Sequence, residues 1–268
     1  MNTIIDKANH FKYSSLEYVD SDDIRAPIIC INNDESIFFY CKEEGKAKIY
    51  WAVNLKDIFL RGLDKTIDII TKGDSIRNIV LEFIPEDYIP DMEKQGFTII
   101  SEWIDYWIDS LVEVKLKQSD SLIIRRIRED EYQLVSDITI SCRNYSRGFM
   151  GETPEWMREW NESENSNIFV AEINGETVGM CCVNLYGFDS EKGIVLWLRE
   201  IAVKPNYHSQ RIGLNLMAYA INWGKSQGAV RSFLACDAQN EKAIKLYERI
   251  GYVRMTGRGQ INMGKTLY

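Results

Sequence analysis

The sequence predicts an α/β protein built from two similar halves. Three observations carry that expectation. First, "SIFFYCKEEGKAKIYWAV" (Ser36–Val53) and "NIFVAEINGETVGMCCV" (Asn167–Val183) each pair two apolar runs around a polar turn. Each turn holds a glycine, Gly45 or Gly175, which is a hairpin signal. Second, Leu55–Thr71 and Leu214–Ser226 carry apolar residues at helical spacing. Third, "KGDSIRNIVLEFIPEDYIPDMEKQGF" (Lys72–Phe97) and "QGAVRSFLACDAQNEKAIKLYERIGY" (Gln227–Tyr252) run alike. Both go from glycine through an apolar strand, a polar turn and a short helix to a Gly-aromatic pair, and their two glycines are 23 residues apart in each.

The offset between the copies is not constant. The hairpin glycines lie 130 apart and the late glycines 155 apart, so the second copy has 25 more residues between hairpin and helix. Those residues, about 184–208, include "GIVLWLREIAVKPNYH". The first copy is therefore expected to lack a central strand and most of the loop that follows it. The alternative is chance likeness between two common patterns. A polar gap at Lys115–Ser121 reads as a boundary, giving domains 1–118 and 121–268. Beyond it, "LIIRRI" starts a fresh strand and "DEYQLVSDITISCRNY" reads as a helix.

Composition narrows the class. Among 268 residues, 45% are hydrophobic and 27% charged, as in ordinary globular proteins. A net charge of −8 disfavours nucleic-acid binding, which rests on neutralising phosphates. The acidity serves solubility, or else it attracts a cationic substrate. No apolar run approaches the ~18 residues needed to span a bilayer, and "MNTIIDKANHFKYSS" has no apolar signal core, so a cytoplasmic protein is expected. The six cysteines show no metal spacing, and with only His10 and His208 no metal site is expected.

The chemistry concentrates in "REIAVKPNYHSQRIGLNLM" (Arg199–Met217). An apolar strand, Gly193–Val203, carries Arg199 and Glu200, stops at Pro205 and turns through a polar loop into a helix. Such a turn aims backbone N–H groups at one point, and the helix dipole favours an anion there. Gly213 lets a backbone come close to a ligand. An ordinary strand-to-helix turn looks the same in sequence. Downstream, Asn240 suits a helix N-cap and Gly251 a C′ position. Asn240, Ala243 and Tyr247 share one helical face, either lining a site or capping a helix whose Tyr packs in the core.

Together, "LREIAVKPNYHSQRIGLNLM" and "NEKAIKLYERIGY" resemble the GNAT superfamily of N-acetyltransferases over about Leu122–Tyr268. The resemblance implies a mixed, mostly antiparallel sheet flanked by helices, and a first half that is a degenerate domain of the same kind. It implies acetyl-coenzyme A as donor, with the pantetheine arm on the backbone of Ile201, Ala202 and Val203. It puts the pyrophosphate on the amides of the loop His208, Ser209, Gln210, Arg211, Ile212 and Gly213, leading into Leu214, with Asn240 and Ala243 beside it. Two positions depart from the family pattern: His208 stands for Gln or Arg, and Arg211 for the first glycine. A backbone cradle tolerates both unless Arg211 must take a positive φ, which costs about 1 kcal/mol.

In the implied reaction an amine attacks the thioester. Glu200, set in the strand beside the acetyl position, is the candidate base, or else a partner in a structural ion pair. Tyr247 matches the family's acid for the departing thiolate. Strand amides near Ile201–Val203 would hold the oxyanion. "YSRGFMGETPEWMREWNESEN" (Tyr145–Asn165) falls at the acceptor wall, where Glu152, Trp156 and Trp160 suit a cationic amine, unless the helix only packs its Trp residues inward. The expectation is an N-acetyltransferase acting on a primary amine of a small molecule or peptide, as a monomer or homodimer without nucleic-acid or membrane partners. The alternatives are a non-catalytic acyl-coenzyme A-binding sensor, and acetylation of aminoacyl-tRNA, which the charge disfavours. The first half would close the acceptor cleft or serve as a structural or dimerisation platform.

Overall fold

The computed structural model describes residues 1–17, 19, 21, 24–43, 45–73, 76–115 and 121–267. In chain order the first elements are α1 (Asn2–Ala8), β1 (Tyr13–Ser14), β2 (Ile28–Asn32), β3 (Ser36–Glu43) and β4 (Lys46–Val53). There follow α2 (Lys56–Gly73), β5 (Asn78–Leu81), α3 (Ile89–Lys94) and β6 (Thr98–Ile108). Then come β7 (Leu122–Arg126), α4 (Tyr132–Ser141), α5 (Pro154–Glu162), β8 (Ser166–Ile173), β9 (Glu176–Tyr186) and β10 (Val195–Val203). The chain ends with α6 (Ile212–Ser226), β11 (Arg231–Asp237), α7 (Glu241–Ile250), β12 (Val253–Arg254) and β13 (Gln260–Thr266). No helix among the described residues is long and apolar enough to cross a membrane.

Two compact units result, Met1–Glu102 with Arg258–Tyr268, and Trp103–Gly257. The sequence reading divides the chain at 118–121 instead; residues 116–120 lie outside the described residues. The difference arises from strand pairing. Trp103–Ile108 of β6 pairs antiparallel with β11 in the second unit, from Asp237↔Trp103 to Ser232↔Ile108. β13, the last strand, pairs antiparallel with β5 in the first, from Met263↔Leu81 to Thr266↔Asn78. Each of these partners is far away in sequence, so local composition carries no trace of the exchange.

In the first unit β3 and β4 form the expected hairpin, with Glu43 opposite Lys46 and Gly45 at φ +80°. Both strands are buried on both faces. Phe38, Tyr40, Ile49 and Trp51 meet Phe59, Leu63 and Ile70 of α2, while Ile37, Phe39, Tyr50 and Ala52 meet Ala8, Leu16 and Ile24. α2 follows β4 after Asn54 and Leu55 alone and leads to β5, which runs parallel to β4. In the second unit β10 leads through a loop to α6 and then to β11, which runs parallel to β10. By this topology β4 stands where β10 stands. The expected missing central strand is therefore present in the first unit. What it lacks is the loop, eight residues between β10 and α6 against two between β4 and α2. The hairpin likeness of β3–β4 to β8–β9 hid this, because apolar strand-turn-strand patterns do not say which strands they join.

The second unit has the order β6-β11-β10-β9-β8-β7. β8 and β9 turn through Asn174 and Gly175, both at positive φ, which is the primed turn a two-residue hairpin needs. One face of the sheet meets α6 and α7 through Leu196, Leu198, Leu234, Leu216, Ile221 and Tyr247. The other meets α4 and α5 through Val170, Met180, Cys182, Ala202, Ile138 and Met157. β10 and β11 pair only from Val195↔Arg231 to Trp197↔Phe233 and then part, although β10 continues to Val203 and β11 to Asp237.

Candidate active site

Two local features prepare the site where β10 leaves β11. The first is a β-bulge. Register with β9 shifts between Leu198 and Glu200. Leu198 faces the α6/α7 core, while Glu200, opposite Cys182, falls on the α4/α5 face with Ala202. Arg199 is the extra residue, and a bulge of this kind re-aims side chains at a strand edge.

The second is the loop. After β10 a single 3₁₀ turn, Pro205–Tyr207, leads to His208 and then α6. Arg211 is the N-cap of α6 with φ +63° and ψ +13°, and Ser209 has φ +65°. The left-handed conformation that the sequence made conditional is therefore adopted, by two residues that are not glycine. Gly213 has no such angle; a Cβ there would lie 3.3 Å from Leu246 Cδ2 of α7, so its smallness serves helix packing. Among the described residues, the amides of Ser209 to Leu214 donate to no protein acceptor, and the first bond at this helix end is Asn215 N–H to Arg211 O, 3.1 Å. Successive unpartnered N–H groups at the start of a 15-residue helix offer donors that an anion could accept from.

His208 plays a different part from the one the family pattern implies. Its Nε2–H donates to Val203 O at 2.7 Å, and its ring meets Tyr145 edge-on at 4.9 Å. Cys142 Sγ lies 3.2 Å from the same carbonyl. Both contacts pin the end of β10, and Val203 O already has partners.

Glu200 is 8% exposed. Burial pushes its carboxyl up to about 7, opposed by the Arg199 guanidinium and assisted by the Glu152 carboxylate. Arg199 forms an ion pair with Glu200 and reaches Glu152 Oε1 at 3.5 Å. Burial raises Glu152 as well, again opposed by Arg199. The guanidinium lies over Trp156 and Trp197, 5.6 and 5.9 Å from the ring centroids. Trp156 stacks on Trp160 at 5.1 Å, and Trp160 meets Trp197 edge-on at 5.7 Å. The structure thus brings Glu152 to Glu200, Trp156 to the Arg199 guanidinium, and Trp160 to Trp156 and Trp197. Trp197 and Arg199, which complete the group, carried no separate signal because an apolar strand conceals which residues a bulge exposes.

On the opposite face, Asn240 caps α7 by accepting from Ala243 N–H at 3.3 Å, and Gly251 ends the helix at φ +113°. Tyr247 lies 7% exposed between Tyr106 and Tyr252, with ring centroids 6.3 Å away in each case. Burial holds its hydroxyl well above the ordinary value, and nearby Cys236, Cys181, Glu200 and Tyr252 add to this. Its hydroxyl has no hydrogen bond among the described residues. Sequence reasoning missed Arg147. It clamps fully buried Asp237, at the end of β11, through Nε–Oδ1 and Nη2–Oδ2 contacts of 3.1 Å each.

A bulged strand parting from its parallel neighbour and entering a helix through a loop of free amides belongs to the acetyltransferase fold of the GNAT type. Comparison with known proteins agrees. The Acetyltransferase (GNAT) family model matches residues 128–252. The thialysine N-epsilon-acetyltransferase of Bos taurus is 31% identical over 143 residues, covering 50% of this chain and 78% of that protein. An uncharacterized N-acetyltransferase of Methanocaldococcus jannaschii is 31% identical over 36% of this chain, which spans only 44% of that protein's length. Among solved structures, the GCN5-related N-acetyltransferase from Sphaerobacter thermophilus superposes with a TM-score of 0.62 at 13% identity, covering 86% of this chain and 76% of that one. A conserved protein of unknown function from Staphylococcus epidermidis gives 0.58 at 16% identity, covering 95% and 100%. The chain belongs to the GNAT acetyltransferase family.

Proposed function

We propose that this chain is an acetyl-coenzyme A-dependent N-acetyltransferase acting on a primary amine of a small molecule or peptide, and that its catalytic apparatus lies wholly in the second unit. The observation that carries this reading is the run of unpartnered amides from Ser209 to Leu214, beside the parted edge of β10 that bears Glu200. Those donors fit a pyrophosphate, and the edge at Ile201–Val203 fits an extended amide arm. The bovine relative's name, a thialysine acetyltransferase, agrees with an amine acceptor.

Acetyl-coenzyme A supplies the thioester. The chain's own groups do the rest. An acceptor amine must be neutral to attack, and Glu200 with its carboxyl near 7 takes the proton. The C–N bond forms, the C–S bond breaks, and the Tyr247 hydroxyl donates to the departing sulfur. Keeping that hydroxyl protonated is what its burial achieves. Asn240 sets the start of α7 and hence the position of Tyr247. Arg147 ties the loop after α4 to Asp237, holding the acceptor side against β11. The first unit is a degenerate relative of the second, deprived of the loop and with Trp51, Phe59 and Tyr88 packed together where β4 parts from β5.

The test is thiol release from acetyl-coenzyme A with a panel of amines. Tyr247→Phe is expected to lower kcat roughly tenfold or more with a smaller change in the donor KM. An unchanged kcat removes Tyr247 from the mechanism. Donor binding without thiol release for any amine would favour the non-catalytic sensor.

A further inference from the structure

One guanidinium serves two carboxylates at the β10 bulge. In a regular strand neighbouring side chains point to opposite faces, so an Arg beside a Glu does not meet it. On β10, Leu196, Leu198, Ile201 and Val203 face α6 and α7, and Ala202 faces α4 and α5. The bulge breaks this alternation and puts Arg199 and Glu200 together on the α4/α5 side. There Arg199 Nη1 donates to Glu200 Oε1, and Nη2, the other end of the fork, lies 3.5 Å from Glu152 Oε1.

Both partners of Glu200 are held in place. The guanidinium lies over Trp156 and Trp197, and Trp160 stacks on the first ring and meets the second edge-on. Glu152 is fixed through its backbone by α4. Its N–H donates to Thr139 Oγ1 at 3.0 Å, and its carbonyl accepts from Ser136 Oγ at 2.7 Å. Gly151, at φ +82°, permits that approach, because a Cβ there would lie 2.7 Å from Ile140 N. The other titratable groups about Glu200 are neutral. Cys181 and Cys182 of β9, Cys142 after α4 and Tyr247 of α7 are all raised by burial. Asp137 of α4 and Glu155, Arg158, Glu159 and Glu162 of α5 are exposed. Among the described residues, Arg199 is the cation that both carboxylates share.

A guanidinium bound to one carboxylate alone holds it ionised and makes it a weak base. A second carboxylate on the same fork draws off part of that field, and its own charge favours a proton on the first. We propose that Arg199 and Glu152 are positioning residues for the base: Arg199 fixes the direction of the Glu200 carboxylate, and Glu152, by sharing the guanidinium, keeps Glu200 basic enough to take the proton of the acceptor amine. This rests on the acetyltransferase reading. Lysine does not substitute, because two carboxylates are reached by N–H groups on separate nitrogens of one rigid plane, which also lies on the rings.

The experiment follows the Glu200 carboxyl across pH by carbon-13 NMR of side-chain-labelled glutamate, its resonance identified by its loss in Glu200→Gln. The pH profile of kcat is measured beside it, with acetyl-coenzyme A and a panel of amines. Glu152→Gln is expected to lower the Glu200 midpoint by roughly one pH unit, and Arg199→Gln to raise it by roughly as much, the size of a nearby charge. The rising limb of kcat should move with the midpoint in each variant. Arg199→Lys keeps the charge without the fork; its midpoint should return toward wild type while kcat stays roughly tenfold low. Thermal unfolding shows which variants fold, and half-buried Glu152→Gln tests the sharing by itself should Arg199→Gln not fold. Midpoints that stay put, or that move the same way in both variants, overturn the inference and leave the transferase reading intact. So does a midpoint that moves while the limb of kcat does not, or wild-type kcat in Arg199→Lys. Wild-type kcat in Glu200→Gln overturns Glu200 as base and the inference with it. Opposite midpoint shifts without transfer to any amine overturn the transferase reading and leave only the shared guanidinium.

Discussion

Replacing Arg211 by glycine tests where the cost of the unusual loop falls. At φ +63° and ψ +13° an L-residue is disfavoured by about 1–2 kcal/mol, while glycine is not. Glycine also frees the unfolded chain, which returns about 0.4–1 kcal/mol of that gain. The net expectation is a folded state more stable by about 0.5–1 kcal/mol. For a protein of this size that is about 1–4 °C in melting temperature. The angle belongs to the folded chain, so removing the strain should not by itself tighten donor binding. Arg211 is exposed, and if the proposed donor site holds, losing its guanidinium should weaken coenzyme A by about 0.5–1 kcal/mol, or roughly two- to fivefold. Thermal unfolding and calorimetric titration with coenzyme A read the two effects separately. A variant that melts below wild type would refute the reasoning. One that binds coenzyme A more tightly at unchanged melting temperature would show that the ligand imposes the angle.

Glu200→Gln should lower kcat/KM by about 10²–10⁴ and remove an activity limb that rises with pH through about 7. The same carboxyl has a folded pKa raised above its unfolded value, so its stabilising protonated form is present at low pH and lost as pH rises from about 4.5 to about 7. Above pH 7 Glu200→Gln should therefore melt higher than wild type, despite losing the pairing with Arg199; a lower melting temperature at pH 8 would contradict the burial argument. Arg147→Leu leaves the fully buried Asp237 carboxylate without its bidentate partner and should cost about 2–4 kcal/mol in chemical denaturation. Tyr88→Phe removes a buried hydroxyl with no hydrogen-bond partner among the described residues, one that burial already pushes up to about 12. It should be neutral or stabilise by up to about 1 kcal/mol, and a clear loss would mean that the hydroxyl has a partner.

The strand-loop-helix from Arg199 to Met217 and the capped helix from Asn240 to Gly251 were legible because their signals are local. A proline stops a strand, a side chain caps a helix, and apolar residues repeat at a fixed spacing. The same locality explains the misreading of the first unit. A hairpin pattern does not say which strands it joins, so β4 was matched to β9, and only its parallel pairing with β5 reveals it as the counterpart of β10. Equal glycine spacing points to two similar halves, but it carries nothing about the places of β6 and β13.

What the sequence by itself determined is the family, the strand-loop-helix from Arg199 to Met217 and the residue types available for acid–base work. Tertiary structure alone decided three things. The bulge at Arg199 put Glu200 on the α4/α5 face beside the Glu152 carboxylate and a guanidinium that itself lies over two indoles. The loop took left-handed angles at Ser209 and Arg211 rather than at Gly213. β6 brought Asp105 and Trp107 beside β11, more than a hundred residues away in sequence. The first and the third share one physical reason. Backbone pairing fixes which face a side chain occupies, and a one-residue shift in register reverses it. Chemistry that depends on a face is therefore set by partners that lie far along the chain.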